Sequence, residues 1–175
     1  MRGYGGVCTF WRKEIDPCIK IIPQGNNRTL ILEIQSEEGT NCLISVYMPS
    51  SSKDSDSECK EMICELNEFI ETFKQTHSII LRGDMNASTQ RQTSRDKLLK
   101  TFLEESSMNI SAKDNGRDTF FHHNGKFTSK IDYFLFCRKS LSNVKDMQKP
   151  KLLRPHTYNG MPKHEGEQTQ SKAQE

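Results

Sequence analysis

Residues 78–88 read SIILRGDMNAS, the most informative stretch of the chain. Its apolar residues predict a short buried strand that ends at Gly83, where glycine permits a tight turn and the close approach of a ligand. Asp84 can bind a hard cation or accept a proton from water, and Asn86 can orient a neighbouring group. Phosphoester hydrolysis needs a metal, an activated water and a positioning amide, although the same residues also form ordinary polar turns.

The apolar patterns on either side of this stretch predict a protein that mixes helices and strands. The charged, serine-rich residues 50–57 are interpreted as a loop, and a capping box is predicted from Ser55 to Glu58 at the start of the first helix. The remaining elements are read from apolar periodicity. The first predicted helix starts at this capping box and carries an apolar stripe at 62–73, and the second covers 94–105. The other strands cover 6–11, 29–34, 42–47, 119–121 and 130–137, with 36–40 closing a hairpin.

Two further positions carry chemistry-bearing side chains at strand ends. Asp132 lies within KIDYFLFC at 130–137, where both faces are otherwise apolar, so the strand is predicted to be buried on both sides. A buried carboxylate needs a partner: a structural Arg or Lys, a histidine that it orients, or a metal. Tyr47 closes a strand just before Pro49, and either caps the core or donates its hydroxyl to a phosphate oxygen.

Length and composition predict one domain without a membrane segment. The chain has 175 residues, 33% of them hydrophobic, a mean hydropathy of −0.75 and a net charge of +2. Residues 106–155 hold ten Lys and Arg against four Asp and Glu, which suits either a phosphate-bearing partner or a solvated face. The six cysteines form no CxxC pair, so no zinc site is expected, and an intracellular, reducing location, with the nucleus as one option, is predicted.

The order of these signals resembles the endonuclease/exonuclease/phosphatase superfamily. The likeness rests on GGVCTFWRK, a hairpin ending in YMP, an amphipathic helix, GDMN, DTFF and SKIDYFLF, and it covers roughly residues 5–138. It is strongest for the endonuclease domains of non-LTR retrotransposons and the apurinic/apyrimidinic endonucleases. The resemblance implies an α+β fold, a four-layer α/β/β/α sandwich of two packed mixed sheets flanked by helices, incomplete within 1–148, with 149–175 expected to be a disordered tail.

The resemblance also implies roles for individual residues in Mg²⁺-dependent hydrolysis of DNA. Asp84 would activate the attacking water and contact the metal, and Asn86 would position the scissile phosphate. Tyr47 would contact the phosphate, Asp132 would orient a catalytic histidine, and Thr119 would support the site. DNA is the expected partner, Mg²⁺ the expected metal, and no small-molecule organic cofactor is expected.

Two family features are not found in this sequence. The family carries an asparagine and a metal-binding glutamate before its GGV strand, and a Ser-Asp-His motif near its C-terminus; here only His156, preceded by Arg154 and Pro155, falls at a suitable separation from Asp132. Losing one charge-stabilising group typically lowers a rate by about 10²–10³-fold. The alternative is therefore an inactive, truncated remnant that acts at most as a nucleic-acid or protein binding module. A phosphatase or deadenylase of the same superfamily is a third option.

Overall fold

The computed structural model describes residues 6–50, 55–111 and 117–137, so His156 and the tail predicted at 149–175 lie outside the described residues. A short 3-10 helix spans Lys13–Cys18. The strands are β1 Ile19–Asn26, β2 Thr29–Ser36, β3 Gly39–Tyr47, β4 Ser78–Asp84, β5 Met108–Ile110, β6 Phe120–Phe121, β7 Thr128–Ser129 and β8 Asp132–Cys137, and the helices are α1 Ser55–Phe73 and α2 Ser94–Glu105. Neither described helix is long and apolar enough to cross a bilayer.

Six of the strands form one mixed sheet in the order β1-β2-β3-β4-β8-β5. Strands β3 and β4 are parallel and are connected through α1, and the other neighbours are antiparallel. The predicted hairpin between β2 and β3 is confirmed. Strands β6 and β7 form a separate two-stranded sheet. The α+β class predicted from the sequence is confirmed, and within the described residues the sandwich is incomplete.

Both helices cover one face of the six-stranded sheet and bury the main core. Alternate strand residues such as Ile44, Leu81 and Leu135 are fully buried there, against Leu66 of α1 and Phe102 of α2. Fully burying one such side chain stabilises the fold by about 1.5–3 kcal/mol. The helical spacing in the sequence therefore predicted the packed faces of both helices, and α2 has the predicted bounds.

The opposite face of the sheet is more open. Phe134 of β8 is 43% exposed on this face. Thr9 lies over the same face, where its hydroxyl is 3.1 Å from that of Ser45 and accepts a hydrogen bond from Arg82 at 2.9 Å. The prediction of a strand at 6–11 is wrong, because this described segment contacts the sheet through a side chain rather than through a backbone ladder, and an apolar run cannot distinguish the two.

Two further elements differ from the sequence-based expectations. Strand β1 was not predicted; it is an edge strand that pairs only with β2, and an edge tolerates its Pro23. Ser55 is the first residue of α1, so the loop assignment of 55–57 is wrong. The residue before it lies outside the described residues, and the capping box from Ser55 to Glu58 stays a prediction.

A capping box is present instead at the start of α2. The Thr93 hydroxyl accepts a hydrogen bond from Asp96 N at 3.3 Å, and Asp96 Oδ2 accepts one from Thr93 N at 2.8 Å. These bonds satisfy backbone donors that a helix leaves unpaired in its first turn.

Replacing Thr93 by alanine is expected to lower the free energy of unfolding by about 1 kcal/mol, because the cap is lost. Urea denaturation followed by circular dichroism measures the change. The control is Thr101→Ala on the exposed side of α2, which removes the same atoms without touching a cap. An equal effect of the two substitutions would contradict the capping assignment.

Candidate active site

Three of the residues singled out in the sequence lie in one row across neighbouring strands. Tyr47 at the end of β3 pairs with Asp84 at the end of β4, and Asp84 pairs with Asp132 at the start of β8. Side chains directly opposite one another in a sheet project from the same face, with Cβ atoms about 4.5–5.5 Å apart. The fold therefore brings together, on one face, one phenol and two carboxylates. The outermost of these residues, Tyr47 and Asp132, are 85 positions apart in the sequence.

Gly83 allows β4 to reach this row. Its φ is +147°, and a Cβ built there would lie 1.8 Å from the carbonyl oxygen of Val46 on β3. No side chain fits between the two strands at this point, so glycine is required for the close approach. The unusual backbone path predicted for this glycine is confirmed, and the predicted approach of a ligand stays a prediction.

The turn after β4 is fixed by hydrogen bonds to both sides of the row. Asn86 adopts φ 48°, and its backbone N–H donates to Asp84 Oδ1 at 2.8 Å. The Asn86 side-chain amide donates to the carbonyl of Met48 at 2.8 Å, and Met48 N donates to the carbonyl of Asp84 at 2.9 Å. Asn86 therefore ties the turn to the residue after Tyr47 and aims one oxygen of Asp84.

Two opposing effects set the ionisation of Asp84. Burial raises the pKa of this carboxyl, the backbone N–H of Asn86 partly offsets the effect, and the carboxylate of Asp132 raises the pKa further. The site thus holds two acids close enough to repel each other. Such a pair favours proton uptake or the binding of a cation.

The prediction that this strand is buried on both sides is wrong at Asp132 and Phe134, which are exposed, and is confirmed at Phe136, which lies on the same face and is 1% exposed. Tyr133 and Leu135 point into the helix-covered core, but Phe134 and Asp132 lie on the open face. Among residues 6–50, 55–111 and 117–137, no side chain makes an ion pair or hydrogen bond with the Asp132 carboxylate. Because solvent reaches it, this acid needs no buried partner.

Thr119 holds the start of β8 in place. Its hydroxyl accepts hydrogen bonds from the backbone N–H groups of Ile131 and Asp132, both at 3.1 Å, and its own N–H donates to the carbonyl of Ser129 at 3.1 Å. These contacts fix the backbone that carries Asp132. They also suit the supporting position that the resemblance implies for this threonine.

Two residues at the start of α2, which the sequence reading did not single out, hold the loops on either side of the site. The buried Arg95 guanidinium donates to the carbonyl of Pro49, in the loop after Tyr47, and to Ser55. Asp96 accepts from Ser88 N at 2.7 Å, in the loop after Asn86. The sequence did not reveal these contacts, because polar residues are ordinary at the start of a helix and the partners, Pro49 and Ser88, lie in loops outside the helix.

Hydrogen bonding also governs the charge of Asp96. Burial raises its pKa, but hydrogen bonds from Thr93 and Ser88 together with the nearby Arg91 outweigh burial and hold the pKa below its ordinary value. Asp96 is thus a charged anchor of the loop that follows the GDMN sequence.

The carboxylates of Asp84 and Asp132 have the donor chemistry that Mg²⁺ prefers. Mg²⁺ in enzymes usually takes one or two carboxylates, several waters and substrate phosphate oxygens. The described part of the chain contains no cluster of three or more His, Cys, Asp or Glu side chains. A hard cation held at this row would have these two acids as protein ligands, with water and substrate supplying others.

Replacing Asp132 by asparagine is expected to lower the pKa of Asp84, because one of the causes that raise it is removed while burial remains. The titration of the Asp84 carboxyl carbon, followed by NMR in metal-free buffer, measures the change. An unchanged or higher pKa would show that the two acids do not interact across the β4–β8 pair.

A mixed sheet with helices on one face and this row at its strand ends defines a nuclease fold of the endonuclease/exonuclease/phosphatase type. Residues 41–158 match a family model described as endonuclease-reverse transcriptase, and the chain belongs to this family. No curated protein matches the sequence at a significant level.

Solved structures share the fold at low sequence identity. The endonuclease domain of TRAS1, a telomere-specific non-LTR retrotransposon, aligns with a TM-score of 0.64 and 15% identity over 79% of this chain and 68% of that domain. The 3′ phosphatase NExo from Neisseria, bound to a product DNA hairpin, aligns with a TM-score of 0.54 and 16% identity over 69% of this chain and 55% of that protein. The AP endonuclease LMAP from Leishmania major aligns with a TM-score of 0.53 and 12% identity over 67% of this chain and 48% of that protein. The chain thus spans about half the length of the last two proteins.

Proposed function

We propose that this chain is a Mg²⁺-dependent phosphodiesterase domain that cleaves DNA. The observation that carries the proposal is the row of Tyr47, Asp84 and Asp132 on one face of the sheet. The three residues come from β3, β4 and β8, which are neighbours in the sheet. Membership in the endonuclease-reverse transcriptase family and the DNA-acting neighbours support the same reaction class and substrate.

Each side chain of the row has a chemical task in this proposal. Asp84, aimed by the N–H of Asn86, accepts the proton of the attacking water, for which a raised pKa is suited. The hydroxyl of Tyr47 donates to a non-bridging phosphate oxygen and stabilises its growing charge. Asp84 and Asp132 would hold the metal, which supplies Lewis-acid polarisation of the phosphate when bound.

Nicking of supercoiled plasmid DNA by the purified chain tests the proposal. We expect relaxed circles to accumulate with Mg²⁺, and none to form when the metal is removed with a chelator, because the proposed chemical step needs the cation to polarise the phosphate. Nicking that persists in chelator, or no nicking by a folded protein that binds DNA, would contradict the proposal.

Binding of DNA without cleavage is the second candidate function. It is favoured by the exposed Asp132 carboxylate, which no histidine contacts within the described residues, and by the lack there of any cluster of three metal-binding side chains. Salt-dependent DNA binding by a protein that leaves the plasmid intact would support this candidate, whereas robust turnover would exclude it.

A further inference from the structure

We propose that Arg28 extends the row and forms, with Tyr47, a binding subsite for a backbone phosphate of DNA beside Asp84. The proposal rests on the function proposed above. Thr29 pairs with Val46 in the β2–β3 ladder, so the preceding residue, Arg28, lies opposite Tyr47. The Tyr47 N–H accordingly donates to the carbonyl of Arg28 at 2.9 Å.

One side-chain contact and one backbone contact place Arg28 beside Tyr47. The guanidinium carbon lies 5.6 Å from the centroid of the Tyr47 ring, within the range of a cation–π contact. The backbone N–H of Arg28 donates to Asn26 Oδ1 at 2.8 Å and closes the β1–β2 turn beneath it. The turn thus fixes the backbone of Arg28, and the cation–π contact orients the guanidinium before any ligand arrives, which reduces the entropy lost on binding.

The guanidinium retains hydrogen-bond donors for a ligand. Its ion pair with Glu58 Oε1 is long, at 3.5 Å, and the Glu58 side chain is 53% exposed, so this contact is weak. The Arg28 side chain itself is only 23% exposed. A partly desolvated guanidinium with free donors matches the paired oxygens of a phosphate diester, which it can bind with two parallel hydrogen bonds.

The charges of the row explain why such a cation is needed. Asp84 and Asp132 repel an anionic substrate, and the neutral Tyr47 separates them from Arg28 at the other end of the row. Arg28 therefore supplies attraction for DNA that does not depend on a metal. Glu58 is the internal competitor for the same guanidinium, and its loss should leave Arg28 freer to bind phosphate.

Fluorescence anisotropy of a labelled DNA duplex in chelator, at several salt concentrations, tests the subsite without cleavage. We expect Arg28→Met to weaken binding about tenfold and to reduce the slope of log affinity against log salt by about 0.9, the loss of one phosphate contact. Arg28→Lys should bind with intermediate affinity, because lysine keeps the charge but lacks the two parallel hydrogen-bond donors of the guanidinium. Glu58→Gln should bind more tightly.

Lys74→Met is the matched control, since Lys74 pairs with Glu71 at the end of α1, far from the row. Thermal melts establish that each variant is folded. If Arg28→Met does not fold, Arg28→Lys takes its place in the binding comparison. Equal affinity and salt slope for Arg28→Met and Lys74→Met, weaker binding by Glu58→Gln, or no DNA binding by the wild type would overturn the subsite. Arg28-dependent binding without nicking would refute the proposed hydrolysis alone, and nicking with Arg28-independent binding would refute the subsite alone.

Discussion

Replacement of Asp84 by asparagine is expected to reduce DNA nicking by at least about 10³-fold, because the proposed reaction would lose its proton acceptor and a metal-binding charge together. The substitution preserves the shape of the turn, since an amide oxygen can still accept the hydrogen bond from Asn86 N. Plasmid nicking with Mg²⁺, compared at equal concentrations of wild type and variant, measures the effect.

Stability separates this loss from unfolding. The folded-state pKa of Asp84 is raised, so its ionised form is disfavoured in the folded chain, and the stability it contributes declines as the pH rises above its ordinary value of 3.8. A neutral asparagine should therefore leave the protein at least as stable near neutral pH. The control, Glu38→Gln, removes one exposed charge in the turn at the far end of the sheet and should nick like the wild type. Nicking by Asp84→Asn at the control rate would refute the role of Asp84.

Replacement of Gly83 by alanine is expected to prevent folding or to lower the free energy of unfolding by more than about 3 kcal/mol. The new Cβ would lie 1.8 Å from the Val46 carbonyl, which cannot move without breaking the β3–β4 ladder, and φ +147° strains any L-residue. Urea denaturation measures the loss, with the soluble yield as a second readout.

Gly39→Ala is a close control for this prediction. Gly39 has φ +131° but no atom within 4 Å of a built Cβ, so only backbone strain is added, about 1–3 kcal/mol. The difference between the two variants therefore reports the contact with β3 alone. Equal losses would show that the close approach of β4 to Val46 is not needed for the fold.

Local patterns allowed the sequence to predict much of the fold. Helix α2 and the β2–β3 hairpin are confirmed because their apolar spacing arises from packing on one face, which short windows of sequence display directly. Strand β1 was not predicted from the sequence, and its Pro23 is accommodated because the strand lies at the edge of the sheet. The segment 6–11 looked like a strand because apolar runs do not reveal whether a backbone ladder is formed.

The residues of the candidate site were selected from the order of the motifs, whereas the residues that hold its loops in place depend on contacts between distant parts of the chain. Tyr47, Asp84 and Asp132 were selected from the sequence, but their common row follows from strand register, which residue types do not encode. The exposure of Asp132 depends on what covers the sheet, and Arg28 reaches the row only through the β2–β3 pairing. Roles for Asn86 and Thr119 beyond their observed hydrogen bonds stay predictions.

Oxygen-isotope labelling tests the central claim, hydrolysis of a DNA phosphodiester at this row, most directly. A defined duplex is incubated with the wild type and Mg²⁺ in water enriched in ¹⁸O, and the product ends are analysed by mass spectrometry. Attack by water predicts an ¹⁸O atom in the new terminal phosphate made by the wild type, and at least about 10³-fold less labelled product with Asp84→Asn. Unlabelled termini, or equal labelled product from both proteins, would contradict the account.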